Sequence, residues 1–430
     1  MNERRDCSIL SPRKRVKSIG DASFLVRERS MTRRSPGKIL LILVTALLVP
    51  SLAWSQGPPK TTPAADFVNQ VMKNFDAWDK NKDGKLSSQE IDDLVDESHI
   101  TGQGAAAVAA LKRADRAAKT PLPPLTREYF QKYPKLAGAE KQAVPDFGGM
   151  YLSSLRRIQK ADRTLFVANA PRLESLHQGR LGDCYFLAPV GAVLHRNPDA
   201  IKRMFRALPN GQIEVNFGNG HRVCVKPVTD TELGLTSSTT GEGVWLNTLE
   251  KAFGATRNER LPQDKRKDSL TDLIAKGGSS RPVIELLTGH KARGLSLRPK
   301  DKEKGHTEGE VEAKLALLRP VLMAATKEKR LVCCGTMGVS ESDMKVPGIA
   351  GKHAYAILGY DSAKDEVHIW NPHGNTFRPK GERGLKNGYA TQAGRFSMPL
   401  KDFVRAFAGI SYETTEPLKL ETVGPTRPVR

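Results

Sequence analysis

The chain is poor in cysteine. Five in 430 residues are too few for a disulfide framework, so each needs its own explanation. It lacks a GxxxxGK[ST] phosphate loop, and no cysteine–histidine group has zinc spacing. Cys333 and Cys334 are adjacent, without the two-residue gap or paired histidines of a zinc site. Basic residues are scattered without aromatic interleaving, so no nucleic-acid partner is expected. Acidic residues are scarce, 47 against 68 Lys and Arg, leaving a formal charge of +21. What remains, 39% hydrophobic and 27% charged residues, is the composition of a soluble globular protein. It rules out a multi-span membrane protein, a collagen and a wholly disordered chain. At roughly 150 residues per domain, the length allows two or three domains.

Long apolar runs are also missing. Ile39–Val49 is uncharged for eleven residues, short of the roughly 20 that cross a bilayer. Arg33, Arg34 and Lys38 precede the run, Pro50 ends it, and Ala53 and Ser55 set small residues where a signal peptidase reads. This layout predicts a Sec-pathway signal within residues 1–55, cleaved before Gln56. The protein would then be periplasmic or extracellular, meeting the membrane only in transit; an uncleaved anchor is the alternative. Initiation at Met31 would give a signal of ordinary length. Residues 1–55 hold eleven basic and four acidic residues, so +7 of the charge and Cys7 leave with them.

Residues 56–66 begin QGPPKTTPAA, a Pro/Thr linker. From Phe67 to about Leu111, apolar residues at helical spacing predict helix, polar loop, helix, inside a small α-helical module over 67–135. Thr120–Pro124 breaks that pattern. Residues 136–164 read as a second linker, and 416–430 as a basic, unstructured tail. Between them, apolar runs and turn signals alternate as in an α+β domain over 165–415. Strands are expected at Val215–Val225, Ala354–Tyr360 and Glu366–Trp370, and a helix at Glu308–Lys329. Asn258–Ser280 and Lys291–Gly309 read as charged loops.

The stretch Asp79-Lys80-Asn81-Lys82-Asp83-Gly84-Lys85-Leu86-Ser87-Ser88-Gln89-Glu90 fits the twelve-residue EF-hand template. Ca²⁺ is a hard cation that wants six to eight oxygens. Here Asp79, Asn81, Asp83, Ser87 and Glu90 would supply side-chain oxygens and Lys85 a carbonyl. EF-hands usually pair, and Asp115-Arg116 with Leu125–Phe130 resembles the ends of a degenerate partner loop lacking ligands. Extracellular calcium modules bind with dissociation constants of about 10⁻⁴ to 10⁻³ M. In an exported protein such a site stays filled, a structural brace rather than a switch.

Gln178-Gly179-Arg180-Leu181-Gly182-Asp183-Cys184-Tyr185-Phe186-Leu187 leads glycine-rich turn residues into Cys184 and then an apolar run. That pattern presents a thiol at a helix start, where the N-terminus favours the thiolate. Gln178 is placed to donate its amide to a developing oxyanion. His353 lies in the polar turn of GKHAYAIL, feeding an apolar strand, and Asn371 ends the next strand-like run eighteen residues later. Two adjacent antiparallel strands would bring base and amide together, and a Cys–His pair oriented by Asn performs acyl transfer. Cys224 alternates with apolar neighbours and reads as core; a disulfide to Cys333 or Cys334 is the alternative in an oxidising compartment.

These motifs resemble the calpain family of papain-like cysteine proteases: QGRLGDCYFL, GKHAYAILGY and NPHG, with weaker echoes at Trp245–Ala252, Leu287-Thr288-Gly289, Gly394–Met398 and Asp402-Phe403. They occur in the family's order over about Leu165 to Tyr412. The resemblance implies a two-lobed papain-like core, a helical lobe carrying Cys184 and an antiparallel β lobe carrying His353 and Asn371. It assigns Cys184 as nucleophile, His353 as base and acid, Asn371 as orienter and Gln178 as oxyanion donor. The implied activity is endoproteolysis through an acyl-enzyme on protein or peptide substrates, with calcium either required or stabilising. A monomer is expected.

Three positions depart from the family pattern. His373 stands where a tryptophan usually shields the His–Asn bond, and either stacks in its place or admits water. Pro189 and Gly191 fall inside the helix expected after Cys184, so a kink or a late helix start is expected. Two rival readings follow: a binding or scaffold protein that keeps the fold without the chemistry, and a papain-like acyl transferase.

Overall fold

The computed structural model describes residues 62–418, except 119–120, 138–143, 168–170, 268, 302–304 and 337–344. The signal-like run, most of the first linker and the basic tail lie outside the described residues.

Five helices open the described chain: α1 (Pro63–Trp78), α2 (Ser88–Val95), α3 (Gly102–Ala117), α4 (Arg127–Ala137) and α5 (Phe147–Lys160). Thr62 caps α1 by accepting from the Ala65 amide, with Pro63 in the first turn, where its missing N–H costs nothing. Phe67, Val71, Phe75 and Trp78 bury the inner stripe of α1. Residues 105–111 of α3, six of them Ala or Val before Leu111, are wholly buried. Small side chains let the neighbouring helices close around α3. The expected pair of helices over 67–111 is therefore three. The stretch read as a second linker contains α5, whose Phe147 stacks on Phe67 at 5.0 Å, the rings 3° from parallel.

Next come β1 (Leu176–His177), α6 (Cys184–Arg196), α7 (Pro198–Arg203), β2 (Phe205–Ala207), β3 (Ile213–Asn216), β4 (Arg222–Val225), α8 (Asp230–Leu235), β5 (Ser238–Thr239), α9 (Trp245–Glu259) and α10 (Ser280–Thr288). The expected single strand Val215–Val225 is a hairpin, because Asn219-Gly220 turns the chain, with Gly220 at φ 82°.

The second lobe contains β6 (His290–Ser296), α11 (Glu308–Lys327), β7 (Val332–Thr336), β8 (Ala354–Asp361), β9 (Glu366–Trp370), β10 (Arg395–Pro399), α12 (Leu400–Ala406) and β11 (Phe407–Pro417). Its strands form an antiparallel sheet in the order β10-β9-β8-β7-β11-β6. The expected strands at 354–360 and 366–370 and the helix from Glu308 are in place. The supposed loop Lys291–Gly309 instead supplies most of β6, an edge strand with a largely solvated face.

Strand β7 divides the interior. Cys333 faces the core built around α6, α9 and α10, and Cys334 faces the core of the sheet and α11. Both are buried free thiols, so neither forms the disulfide to Cys224 considered above.

The N-terminal helices share a core with Leu233 and Leu235 of α8 and with Val244. Ion pairs reinforce the join. Lys112 of α3, 2% exposed, bridges Asp92 of α2 and Asp272. Asp96 at the end of α2 meets Lys226 and the buried Lys251 of α9.

Candidate functional site

Cys184 is the first residue of α6, so the proline and glycine downstream do not delay the helix. Pro189 cannot donate to the Tyr185 carbonyl. The Ser280 hydroxyl donates to that carbonyl instead, at 3.0 Å, which lets α6 run through the proline. Gly191 has a packing reason: a Cβ there would sit 2.3 Å from the Trp370 ring, so glycine lets α6 lie against β9. Gly182 works similarly upstream of the thiol, since a Cβ would come within 2.4 Å of the Ala275 carbonyl.

A cleft of about 910 Å³ runs between the lobes, and Gln178, Cys184, His353 and His373 line it. His353 sits where Lys352, at φ 51°, turns into β8. Its Nε2 is 2.8 Å from Asn371 Oδ1. Asn371 is fixed in turn, donating from Nδ2 to Asn375 Oδ1 at 2.9 Å. With Nε2 held, Nδ1 is the nitrogen left for proton transfer. The His373 ring stacks over His353 at 4.2 Å with 23° between planes, and Tyr355 meets it edge-on at 4.9 Å. Of the two alternatives for His373, stacking is the one observed.

The thiol and imidazole are both driven towards neutrality. Burial pushes the Cys184 thiol above its ordinary value, with the Asp183 charge adding to it, against lowering contacts from the Ala354 and Tyr185 amides. Burial, aided by His373, pulls His353 down to about 4 despite the Asn371 bond. At this half-buried position burial acts against the thiolate that the helix start favours. Among the described residues no hydrogen bond joins Cys184 to His353.

Gln178 is tied across the lobes by its backbone N–H, which donates to the Pro372 carbonyl at 2.8 Å. Its side chain turns inward, Nε2 donating to Leu181 O at 2.9 Å and Asp183 Oδ1 at 3.2 Å. Both amide hydrogens are thereby engaged. Asp183 is fully buried beside an equally buried Glu250, and burial raises both carboxyls, Glu250 further because of the Asp183 charge. Glu250 accepts from the Ser237 amide. The sequence reading missed this carboxyl pair, although Glu250 lay within the Trp245–Ala252 echo. It also missed Ser280, which no local pattern marks.

The loop between α1 and α2 is organised by its acidic residues. Asp79 accepts from the amides of Asp83 and Gly84, at 3.2 and 2.9 Å. Glu90 accepts from those of Lys80, Asn81 and Ser87, at 2.8, 3.2 and 2.9 Å, completing a capping box with Ser87. Burial opposes the Glu90 charge, but hydrogen bonds from Ser87, Asn81 and Lys80 outweigh it and hold the carboxyl below the usual range. Leu86 N–H donates to Leu125 O at 3.1 Å, and Lys85 bridges Thr126, joining this loop to the segment expected to be its degenerate partner.

All the side-chain donors here are oxygens, which suits a hard cation, and neither buried Asp79 nor Glu90 has a cationic partner among the described residues. In this geometry, however, no three His, Cys, Asp or Glu side chains among the described residues cluster as a metal site. Both Glu90 oxygens are engaged by Ser87 and the loop backbone, so ligation requires them to turn.

The model of the calpain family cysteine protease domain matches residues 153–412, more than half of the chain. The chain belongs to the calpain family of cysteine proteases. The family match begins inside α5 rather than near Leu165, taking in part of the helical segment first read as linker. No curated protein matches the chain. Membership makes the protein a cysteine protease with protein substrates, and the mixed helix and antiparallel sheet architecture agrees with a calpain protease domain.

Proposed function

We propose that this calpain-family protease is an endopeptidase working through an acyl-enzyme on Cys184. The observation that carries the reading is the Asn371-held, His373-covered His353 in the same cleft as Cys184. In the first step His353 Nδ1 takes the thiol proton as Sγ bonds to the scissile carbonyl carbon. The C–N bond then breaks, and the imidazolium gives its proton to the leaving amine. Water, deprotonated by the same nitrogen, releases the acid and restores the thiol. Gln178 joins as oxyanion donor by releasing one inward N–H.

A thiol alkylator and a casein digest, with Cys184→Ala as control, test the reading. Selective labelling of Cys184 with new peptide ends that the variant lacks supports it. Labelling with amine incorporation and no new ends replaces it with acyl transfer. Neither labelling nor cleavage replaces it with a non-catalytic scaffold.

We also propose that Asp79, Asn81, Asp83, the Lys85 carbonyl, Ser87 and Glu90 hold Ca²⁺ as a brace. What supports this is the EF-hand spacing, the oxygen-only donor set and the junction of α2 with the catalytic lobe. Calcium should raise the melting temperature of the wild type and not of Glu90→Ala. Equal melting curves with and without calcium would sink the brace. Peptidase activity unchanged in that variant at saturating calcium would exclude a switch. Export as a monomer completes the reading. A mature N-terminus at Gln56 by mass spectrometry, with a single species in sedimentation, tests it.

A further inference from the structure

The charge of the cleft points to a substrate class. Lys276 and Arg281 line it on the helical lobe, and Arg298 and Lys352 on the β lobe, with Lys352 adjacent to His353. All four are exposed, and none has a carboxylate partner among the described residues. Among the described residues no Asp or Glu lines the cleft. Arg172, Arg206 and Arg383 are exposed too but are each paired, with Glu242, Glu214 and Glu366. Gly277, Gly278, Gly294 and Gly409 leave part of the wall without side chains, so an extended backbone can lie between the two cationic banks.

From this arrangement we infer that the cleft selects acidic peptide segments, with Asp or Glu flanking the scissile bond and Lys or Arg disfavoured there. The inference deepens the peptidase reading and rests on it for turnover. Two banks of like charge, with no acidic residue between them among the described residues, raise the local concentration of an anionic chain. The same banks repel a cationic chain, so selection works by exclusion as well as attraction. Because the cations are solvated, the preference is screened by salt over a Debye length of about 10 Å at 0.1 M.

Two internally quenched peptides sharing a neutral core, one flanked by Glu and the other by Lys, test this on the full chain. At low ionic strength the Glu peptide should show a kcat/KM at least tenfold higher. That ratio should shrink towards one at 0.5 M NaCl. The double variant Lys276→Glu/Arg281→Glu, checked for folding by circular dichroism, should lower or invert it. A ratio near one at low salt, or one unmoved by the charge reversal, overturns the inference. Fluorescence anisotropy of the same peptides, labelled, on the Cys184→Ala protein gives a second readout that needs no turnover. Tighter binding of the Glu peptide, relieved by salt, keeps the charge selection even if the peptidase reading fails. Equal binding sinks it whatever the peptidase result. A labelled single-stranded DNA that outcompetes the Glu peptide at equal charge would reassign the cleft to nucleic acid.

Discussion

The imidazole of His373 lies 4.2 Å from that of His353, ring over ring. A second histidine thus covers the His353–Asn371 bond with an aromatic face while adding a titratable neighbour. His373→Ala should expose the bond to water and lower kcat about tenfold, the scale of one net hydrogen bond, with KM nearly unchanged. His373→Trp, which keeps an aromatic cover, should retain most of the activity. Loss in both variants alike would mean that the cover is not what His373 provides.

Burial that raises the thiol and lowers the imidazole makes the chemistry of Cys184 readable by alkylation. Burial raises the thiol, so the rate of iodoacetamide labelling should still be climbing at pH 9. A rate that levels off near neutral pH would instead reveal a preformed thiolate–imidazolium pair.

The Asp183–Glu250 pair should leave its mark on stability against pH. Their unfolded values are about 3.9 and 4.3, whereas burial raises both in the folded chain, Asp183 to about 6. Above the unfolded values the folded state binds more protons, so the pair's contribution is full below about pH 4 and declines as pH rises, that of Asp183 being lost through about 6. His353, held near 4 when folded, acts oppositely, losing stability as pH falls below about 6.5. Comparing Glu250→Gln with the wild type removes the histidine from the comparison. The variant should gain melting temperature over the wild type as pH rises from 4 to 7; a constant offset would show that the two carboxyls do not share their charge.

Lys112, buried between Asp92 and Asp272, offers a test of the joint between the N-terminal helices and the catalytic lobe. Lys112→Ala leaves Asp92 without its cation, while Asp272 keeps Arg116, and should cost about 3 kcal/mol in denaturant unfolding. Lys132→Ala, which breaks only the exposed pair with Glu128, should cost nothing measurable. Comparable losses would show that burial does not set the worth of these pairs.

Much of this was legible in the sequence because the chemistry is local. QGRLGDC carries its own turn, the continuous apolar run Ala354–Tyr360 reads as a strand, and NPHG follows the next strand at hairpin distance. The hairpin at Asn219-Gly220 was equally local and was passed over for the longer apolar run around it. What could not be read depends on partners distant in sequence. Ser280 completes the Tyr185 carbonyl from 95 residues away. Glu250 meets Asp183 only once α9 packs behind α6, and the four cleft cations come from three segments, Lys276 and Arg281 sharing one. The thiol's raised value is likewise a property of burial, and no motif encodes how deeply a helix start is sunk.

The shared interior of α3, α5 and α8 sets a limit on dissection. A piece trimmed to the family's match at residue 153 would lose the partners of Leu233 and Leu235 and cut α5 in its second turn. It would also strand Asp272 and Lys251 without Lys112 and Asp96. The boundary by which kinship is recognised is therefore not a boundary of cooperative folding. An expression fragment meant to behave as the whole should begin at the Thr62 cap.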